Sequence, residues 1–109
     1  MKGSEPIVVM ITCSSKREAG EIKKALLEKK QSACVNILPG MKSSFWWKDK
    51  IDSCSEVLLL VKTKKNLLKE VITLVKKIHT YEVPEIIALP IIGGNKDYLK
   101  WIERTVRNR

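Results

Sequence analysis

The 109-residue chain holds one histidine, one phenylalanine, five glycines and three cysteines, and each scarcity removes a class of protein. A single histidine, His79, cannot form a two-histidine metal site within one chain. No H-E-x-x-H, G-x-S-x-G or glycine-rich phosphate loop is present, so the common metalloprotease, hydrolase and nucleotide-binding chemistries lack their residues. Cys13, Cys34 and Cys54 are odd in number and far apart, with no C-x-x-C pair, which speaks against a disulfide framework or a zinc ribbon. They read as small buried hydrophobes in a reducing compartment. No apolar run approaches the about 20 residues of a membrane-spanning helix. Met1–Pro6 is short and polar and lacks the apolar core of a signal peptide, so the expected location is cytoplasmic, with no membrane partner. Nothing in the sequence places a cysteine near His79, so no cysteine–histidine nucleophile is assigned, no catalytic residue is named, and the chain is not expected to be an enzyme.

The remaining composition is that of one globular domain over residues 1–109, with 44% apolar and 30% charged residues. Such a chain builds a core without metal or disulfide staples, so no cofactor is expected to be needed for folding. Ile7–Ile11 is an apolar run that predicts a strand ending near Cys13. Ser15 with Glu18 three residues on is a capping box and starts a helix. Ala33–Leu38 predicts a second strand, interrupted at Pro39-Gly40 and continued from Met41 to Trp47. Lys48-Asp49-Lys50 is the expected hairpin turn, because Asp tolerates the left-handed conformation. The return strand runs from Ile51 and strengthens at Val57–Val61. A second helix starts between Thr63 and Asn66, with Leu68, Val71, Ile72, Val75 and Ile78 on its apolar face. Glu85–Ile92 predicts a last strand, at an edge because Pro90 lacks a donor. Tyr98, Trp101, Ile102 and Thr105 space a short final helix, frayed at Arg107–Arg109. The order matches an α+β, ferredoxin-like β-α-β-β-α-β antiparallel sheet with an extra C-terminal helix.

In a two-layer domain of that kind, strands should alternate apolar and polar, since one sheet face meets water. These do not: Val57, Leu59 and Val61 point one way, and Leu58 and Leu60, equally apolar, the other. Copies of the same chain are the simplest cover for the second face, so a homo-oligomer is expected. The net charge of +9 sits on the helical segments, while the remaining residues balance to zero. No RNA-binding module motif accompanies it, and Phe45-Trp46-Trp47 fall near a hairpin tip, so no specific nucleic-acid partner is expected.

The most distinctive segment is His79-Thr80-Tyr81-Glu82-Val83-Pro84-Glu85, which closes a helix, turns, and delivers a carboxylate at a strand mouth. His79 and Glu85 offer an imidazole and a carboxylate to a divalent ion, Cu²⁺ ranking highest among the first-row ions. Two ligands make a weak site, and further ones would have to come from a neighbouring subunit. Alternatively, His79 complements the C-terminus of its helix and Glu85 pairs with a lysine such as Lys62.

This segment, with Ala33-Cys34-Val35-Asn36-Ile37, Phe45-Trp46-Trp47-Lys48-Asp49-Lys50-Ile51, Leu60-Val61-Lys62-Thr63 and Tyr98-Leu99-Lys100-Trp101-Ile102, resembles the CutA-type divalent-cation-tolerance proteins over nearly all of Ile7–Ile102. The resemblance implies a ferredoxin-like homotrimer with inward-facing sheets, an architecture similar to PII signalling proteins. It also implies a link to copper and other divalent cations, and no established enzyme activity. The expected inter-subunit cleft involves Trp47, Lys62, Tyr81 and Trp101. Lys62 or Tyr81 would equally suit a small anion or nucleotide in a PII-like signalling module, the alternative reading, and the small-molecule partner stays open. The chain departs from the family pattern at Thr80, where His-Pro-Tyr is usual, and at Asp49, where Gly is usual. A cysteine proposed as a copper ligand in some members falls at Ile11 here, two residues before Cys13.

Overall fold

Strand and helix alternate as the apolar pattern requires: β1 (Pro6–Cys13), α1 (Lys16–Glu28), β2 (Cys34–Trp47), β3 (Lys50–Lys64), α2 (Leu68–Ile78), β4 (Ile86–Pro90) and α3 (Lys96–Thr105). The computed structural model describes residues 5–107, so most of the polar N-terminal stretch and the last two residues of the tail lie outside the described residues. The four strands form one antiparallel sheet in the order β2-β3-β1-β4. This is the ferredoxin-like arrangement, with α3 added.

One side chain in two along β1 and β3 enters the core. Ile7, Val9, Ile11 and Cys13 pack with Val57, Leu59 and Val61 under Ala19, Ile22 and Leu26 of α1 and Val71 and Val75 of α2. The opposite sheet face carries Val8, Met10, Leu58 and Leu60, all half-buried, flanked by Leu38, Ile87 and Leu89, which are 43%, 48% and 47% exposed. The register sets Leu60 opposite Met10, Leu58 opposite Leu38, and Leu89 opposite Val8, so these side chains form one continuous apolar face.

Proline and glycine shape the long hairpin as anticipated. Pro39 and Gly40 on β2 oppose the single residue Val57 on β3, a bulge in which Gly40 takes φ 83°. β2 is an edge strand, so the donor that Pro39 lacks is not missed. At the tip, Trp47 pairs with Lys50 across the two-residue turn Lys48-Asp49, with φ 51° and 65°. That is a type I′ turn, whose twist matches the strands it joins. The hairpin stretches the molecule to 44 Å against 26 and 22 Å in the other directions.

Three details differ from the sequence expectation. β3 continues through Thr63 and Lys64, which pair with Ile7 and Pro6; a 3-10 turn over Lys65–Leu67 follows, and α2 begins only at Leu68. Pairing with β1 holds those residues extended against their local preference. β4 stops at Pro90, after which Ile91 N–H donates to Pro6 and the chain leaves the sheet. All three cysteines are free, but only Cys13 is fully buried; Cys34 and Cys54 are half-buried.

Candidate functional site

The end of β1, the first turn of α1 and the exit of α2 meet in a buried knot. Ser15 caps α1 by accepting the Glu18 N–H at 3.1 Å. The reciprocal half of the capping box is absent: Glu18 does not return to Ser15. Its Oε1 accepts from Ser14 N–H at 3.1 Å and Ser14 Oγ at 3.2 Å, and its Oε2 accepts from Thr80 N–H at 2.6 Å. Burial opposes ionisation of Glu18, which is 4% exposed, but the donors from Thr80 and Ser14 outweigh it and hold the carboxyl below its usual range.

His79 ends α2 and turns inward. Its Nδ1 accepts from Tyr81 N–H at 3.1 Å, and its Nε2 lies 2.7 Å from the Thr12 carbonyl oxygen. An acceptor at Nδ1 and a donor at Nε2 define the neutral tautomer with its proton on Nε2. Nδ1 is 3.7 Å from Glu18 Oε2, too far for a hydrogen bond, and its lone pair is already used. The ring therefore fastens the Thr80–Tyr81 turn to β1.

Cys13 completes the cluster, with one ligand-type atom from each of Cys13, Glu18 and His79 lying within 4.8 Å of the others. The structure thus puts a cysteine beside the histidine, which the sequence did not indicate. Burial, with Glu18 and Glu56 adding repulsion, pushes the Cys13 thiol up to about 12. Such a thiol stays protonated near neutral pH and is no nucleophile. The three residue types are those of a metal centre, but both Glu18 oxygens and both ring nitrogens are committed to backbone donors and acceptors.

Tyr81 links this knot to an open cleft. Its ring lies 4.7 Å from that of His79, and its hydroxyl donates to Glu56 Oε2 at 2.7 Å. Burial, then the Glu56 acceptor, pushes the phenol well above its ordinary value, so it remains a donor. The cleft encloses about 780 Å³. One face of the β2–β3 ribbon supplies Ser43, Phe45, Trp47, Asp52 and Cys54, which alternate along the strands and pair across them, Phe45 with Asp52 and Ser43 with Cys54. The segment after His79 supplies Tyr81, Glu82, Val83 and Glu85. Asp52, Glu56, Glu82 and Glu85 thus put four carboxylates on a cleft that has no lysine or arginine lining it among the described residues, in a chain of net charge +9.

The predicted site residues divide accordingly. Trp47, Tyr81 and Glu85 share the cleft; His79 is buried behind Tyr81. Lys62 lies toward the other end of β3, where its Nζ donates to Asn36 Oδ1. Trp101 lies on α3 with its ring 5.4 Å from that of Tyr98. Neither lines the cleft, whose acidity does not favour the anion or nucleotide of the alternative reading. Sequence reasoning missed Cys13, Glu18, Asp52 and Glu56; Glu18 alone carried a signal, the box that starts α1.

Residues 7–105 match the family model described as CutA1 divalent ion tolerance protein. Divalent-cation tolerance protein CutA of Archaeoglobus fulgidus is 48% identical over 98 residues, covering 90% of this chain and 95% of that protein. Protein CutA 1, chloroplastic, of Oryza sativa is 43% identical over 101 residues; the match covers 93% of this chain but only 57% of the rice protein. The solved structure of the divalent cation tolerance protein Cut A1 of Thermus thermophilus superposes with a TM-score of 0.92 at 43% identity, covering 94% of this chain and 99% of that one.

Proposed function

This chain belongs to the CutA1 divalent ion tolerance family, and on that premise we propose that it is a homotrimeric, cytoplasmic binding protein, not an enzyme, which takes divalent cations, Cu²⁺ foremost, weakly in the acidic cleft. The carrying observation is the charge inversion: Asp52, Glu56, Glu82 and Glu85 stand on one cleft without a basic residue in its lining among the described residues, while the chain as a whole is strongly basic. Carboxylates and hydroxyls suit divalent ions in general, and Cu²⁺ leads the first-row series for a given donor set. Glu85, on the cleft wall, is the direct ligand of the predicted pair. His79 positions Tyr81, whose hydroxyl in turn orients the Glu56 carboxylate. Asp52, Glu82 and Glu85 are exposed and retain exchangeable waters around a bound ion, which keeps affinity modest, while Glu56 is buried.

The trimer is supported by the continuous apolar face around Met10, Leu58 and Leu60. Burying it in a second and third copy removes a patch that a lone chain would leave in water. The cytoplasmic placement rests on the three unpaired cysteines. In a trimer, any further ligand would have to come from a neighbouring chain.

Calorimetric titration of Cu²⁺ into the wild type, Glu85→Gln and the double variant Glu56→Gln/Glu85→Gln tests the site. Affinity should fall at each step, and thermal melts serve to confirm that the variants are folded. Unchanged affinity and stoichiometry in the double variant would remove the cleft as the cation site.

A further inference from the structure

The acidic cleft has more room than a metal ion fills. It encloses about 780 Å³, and the aromatic rings of Phe45, Trp47 and Tyr81 stand among its carboxylates. Strand register fixes the order along the ribbon wall. Trp47 and Phe45 follow one another on one face of β2, with Phe45 opposite Asp52 and Ser43 opposite Cys54. Glu56 lies on the same face of β3 as Asp52, four residues on, and receives the Tyr81 hydroxyl. The wall therefore has two anionic ends, each beside aromatic rings, joined by the uncharged Ser43 and Cys54. Lys50, opposite Trp47, lies beyond this stretch at the hairpin tip and does not line the cleft.

The two acids are differently placed. Glu56 is 7% exposed. Its Oε2 takes the Tyr81 hydroxyl, but its Oε1 has no donor, and no basic side chain pairs with it, among the described residues. A carboxylate withdrawn so far from water is rarely left without a cation or a second donor. Asp52 is exposed; its Oδ1 accepts Ser53 N–H at 2.8 Å, and its Oδ2 has no partner among the described residues. Four residues of strand separate the two positions by about 13 Å. Two nitrogens joined by eight carbons are nine staggered bonds of about 1.5 Å apart, a span of about 11 Å. An occupant that suits this wall carries an ammonium at each end and methylenes between. Ammonium groups are drawn to ring faces as well as to carboxylates, and methylenes lose water against Phe45 and Val83. A metal ion uses neither the rings nor the separation.

We propose that the cleft binds a linear aliphatic polyamine, with one terminal ammonium held by Asp52 beside Phe45 and Trp47 and the other by Glu56 Oε1 beside Tyr81. The polyamine shares the cleft with the divalent ion but does not rest on that reading, because the spacing and the rings select it, not the carboxylates alone.

The full chain is titrated at pH 7.5 and fixed ionic strength with spermidine, 1,8-diaminooctane, 1,4-diaminobutane and octylamine, followed by amide chemical shifts. Spermidine and 1,8-diaminooctane, whose end nitrogens have the same spacing, should give saturable shifts at Asp52 and Glu56. The shorter diamine and the monoamine should bind at least about tenfold more weakly, since neither reaches both carboxylates. Octylamine has the same chain as the eight-carbon diamine, so it separates the second charge from simple hydrophobicity. Asp52→Asn, at an exposed position where the amide oxygen can keep the Ser53 N–H, should bring 1,8-diaminooctane down to the level of octylamine. Phe45→Leu should weaken spermidine about threefold through loss of the ring face, while Cu²⁺, titrated separately, keeps whatever affinity it has for the wild type. Absence of saturation with spermidine, equal affinities for 1,8-diaminooctane and octylamine or for the two diamines, or full diamine affinity in Asp52→Asn would each overturn the site. Failure of Cu²⁺ to bind would leave a positive spermidine result standing.

Discussion

Glu18→Gln changes one oxygen of a buried carboxylate into a donor. In the wild type, Oε1 takes two donors from Ser14 and Oε2 takes the Thr80 N–H. A glutamine oxygen can keep only one of these positions, and its NH₂ group then faces an N–H at the other. At least one hydrogen bond to a charged acceptor is lost, worth about 1.5–3 kcal/mol. Ser14 and Thr80 are exposed residues, so water recovers part of the loss, and the expected destabilisation is about 2 kcal/mol at neutral pH. For a domain of this size that lowers the melting temperature by about 8–16 °C. The pH dependence follows from the depressed Glu18 pKa. A carboxyl whose folded value lies below its unfolded value stabilises the fold fully above the unfolded value, and the contribution disappears as pH falls through the folded one. The difference between wild type and Glu18→Gln should therefore be complete at pH 7, start to shrink below the ordinary carboxyl value of 4.5, and vanish once Glu18 is protonated. Urea unfolding followed by circular dichroism, from pH 7 to 3 and at one protein concentration, measures it; the concentration is fixed because association adds to apparent stability. A difference under about 0.5 kcal/mol at pH 7, the ordinary range of a surface substitution, would refute the reasoning. So would an equal difference at both ends of the pH series.

Light scattering coupled to gel filtration should give three times the chain mass of 12.4 kDa for the wild type, and Leu60→Glu on the open sheet face should shift the mass toward a single chain; a wild-type monomer at micromolar concentration would remove the trimer. Asp49→Gly and Lys30→Gly place glycine where φ is 65° and 53°, so each should stabilise the fold by about 0.5–1 kcal/mol in the same urea assay; a loss in both would contradict the left-handed geometry of the turn and the helix stop. Thiol titration at pH 8 should find Cys34 and Cys54 reacting well before Cys13, whose buried thiol is pushed up to about 12, and all three reacting together after unfolding; fast reaction of Cys13 in the folded protein would show that the knot opens.

What the sequence by itself determined lies within a few residues of each signal. Double-sided strands marked both the core and the second apolar sheet face. Pro39-Gly40 marked the bulge, Lys48-Asp49 the hairpin tip, Pro90 the edge strand, and Ser15 the start of α1. The family segments added Tyr81 and Glu85 to one neighbourhood. Tertiary structure alone decided the rest. Glu18 reaches Thr80 across 62 residues, His79 reaches Thr12 across 67, and Tyr81 reaches Glu56 across 25. It also set Lys62 and Trp101 apart from the cleft, and carried β3 through Thr63 where local preference suggested a helix. Periodicity says which face of an element is buried. It does not say which polar atoms will meet when those faces pack, because that depends on the register and orientation of every element at once.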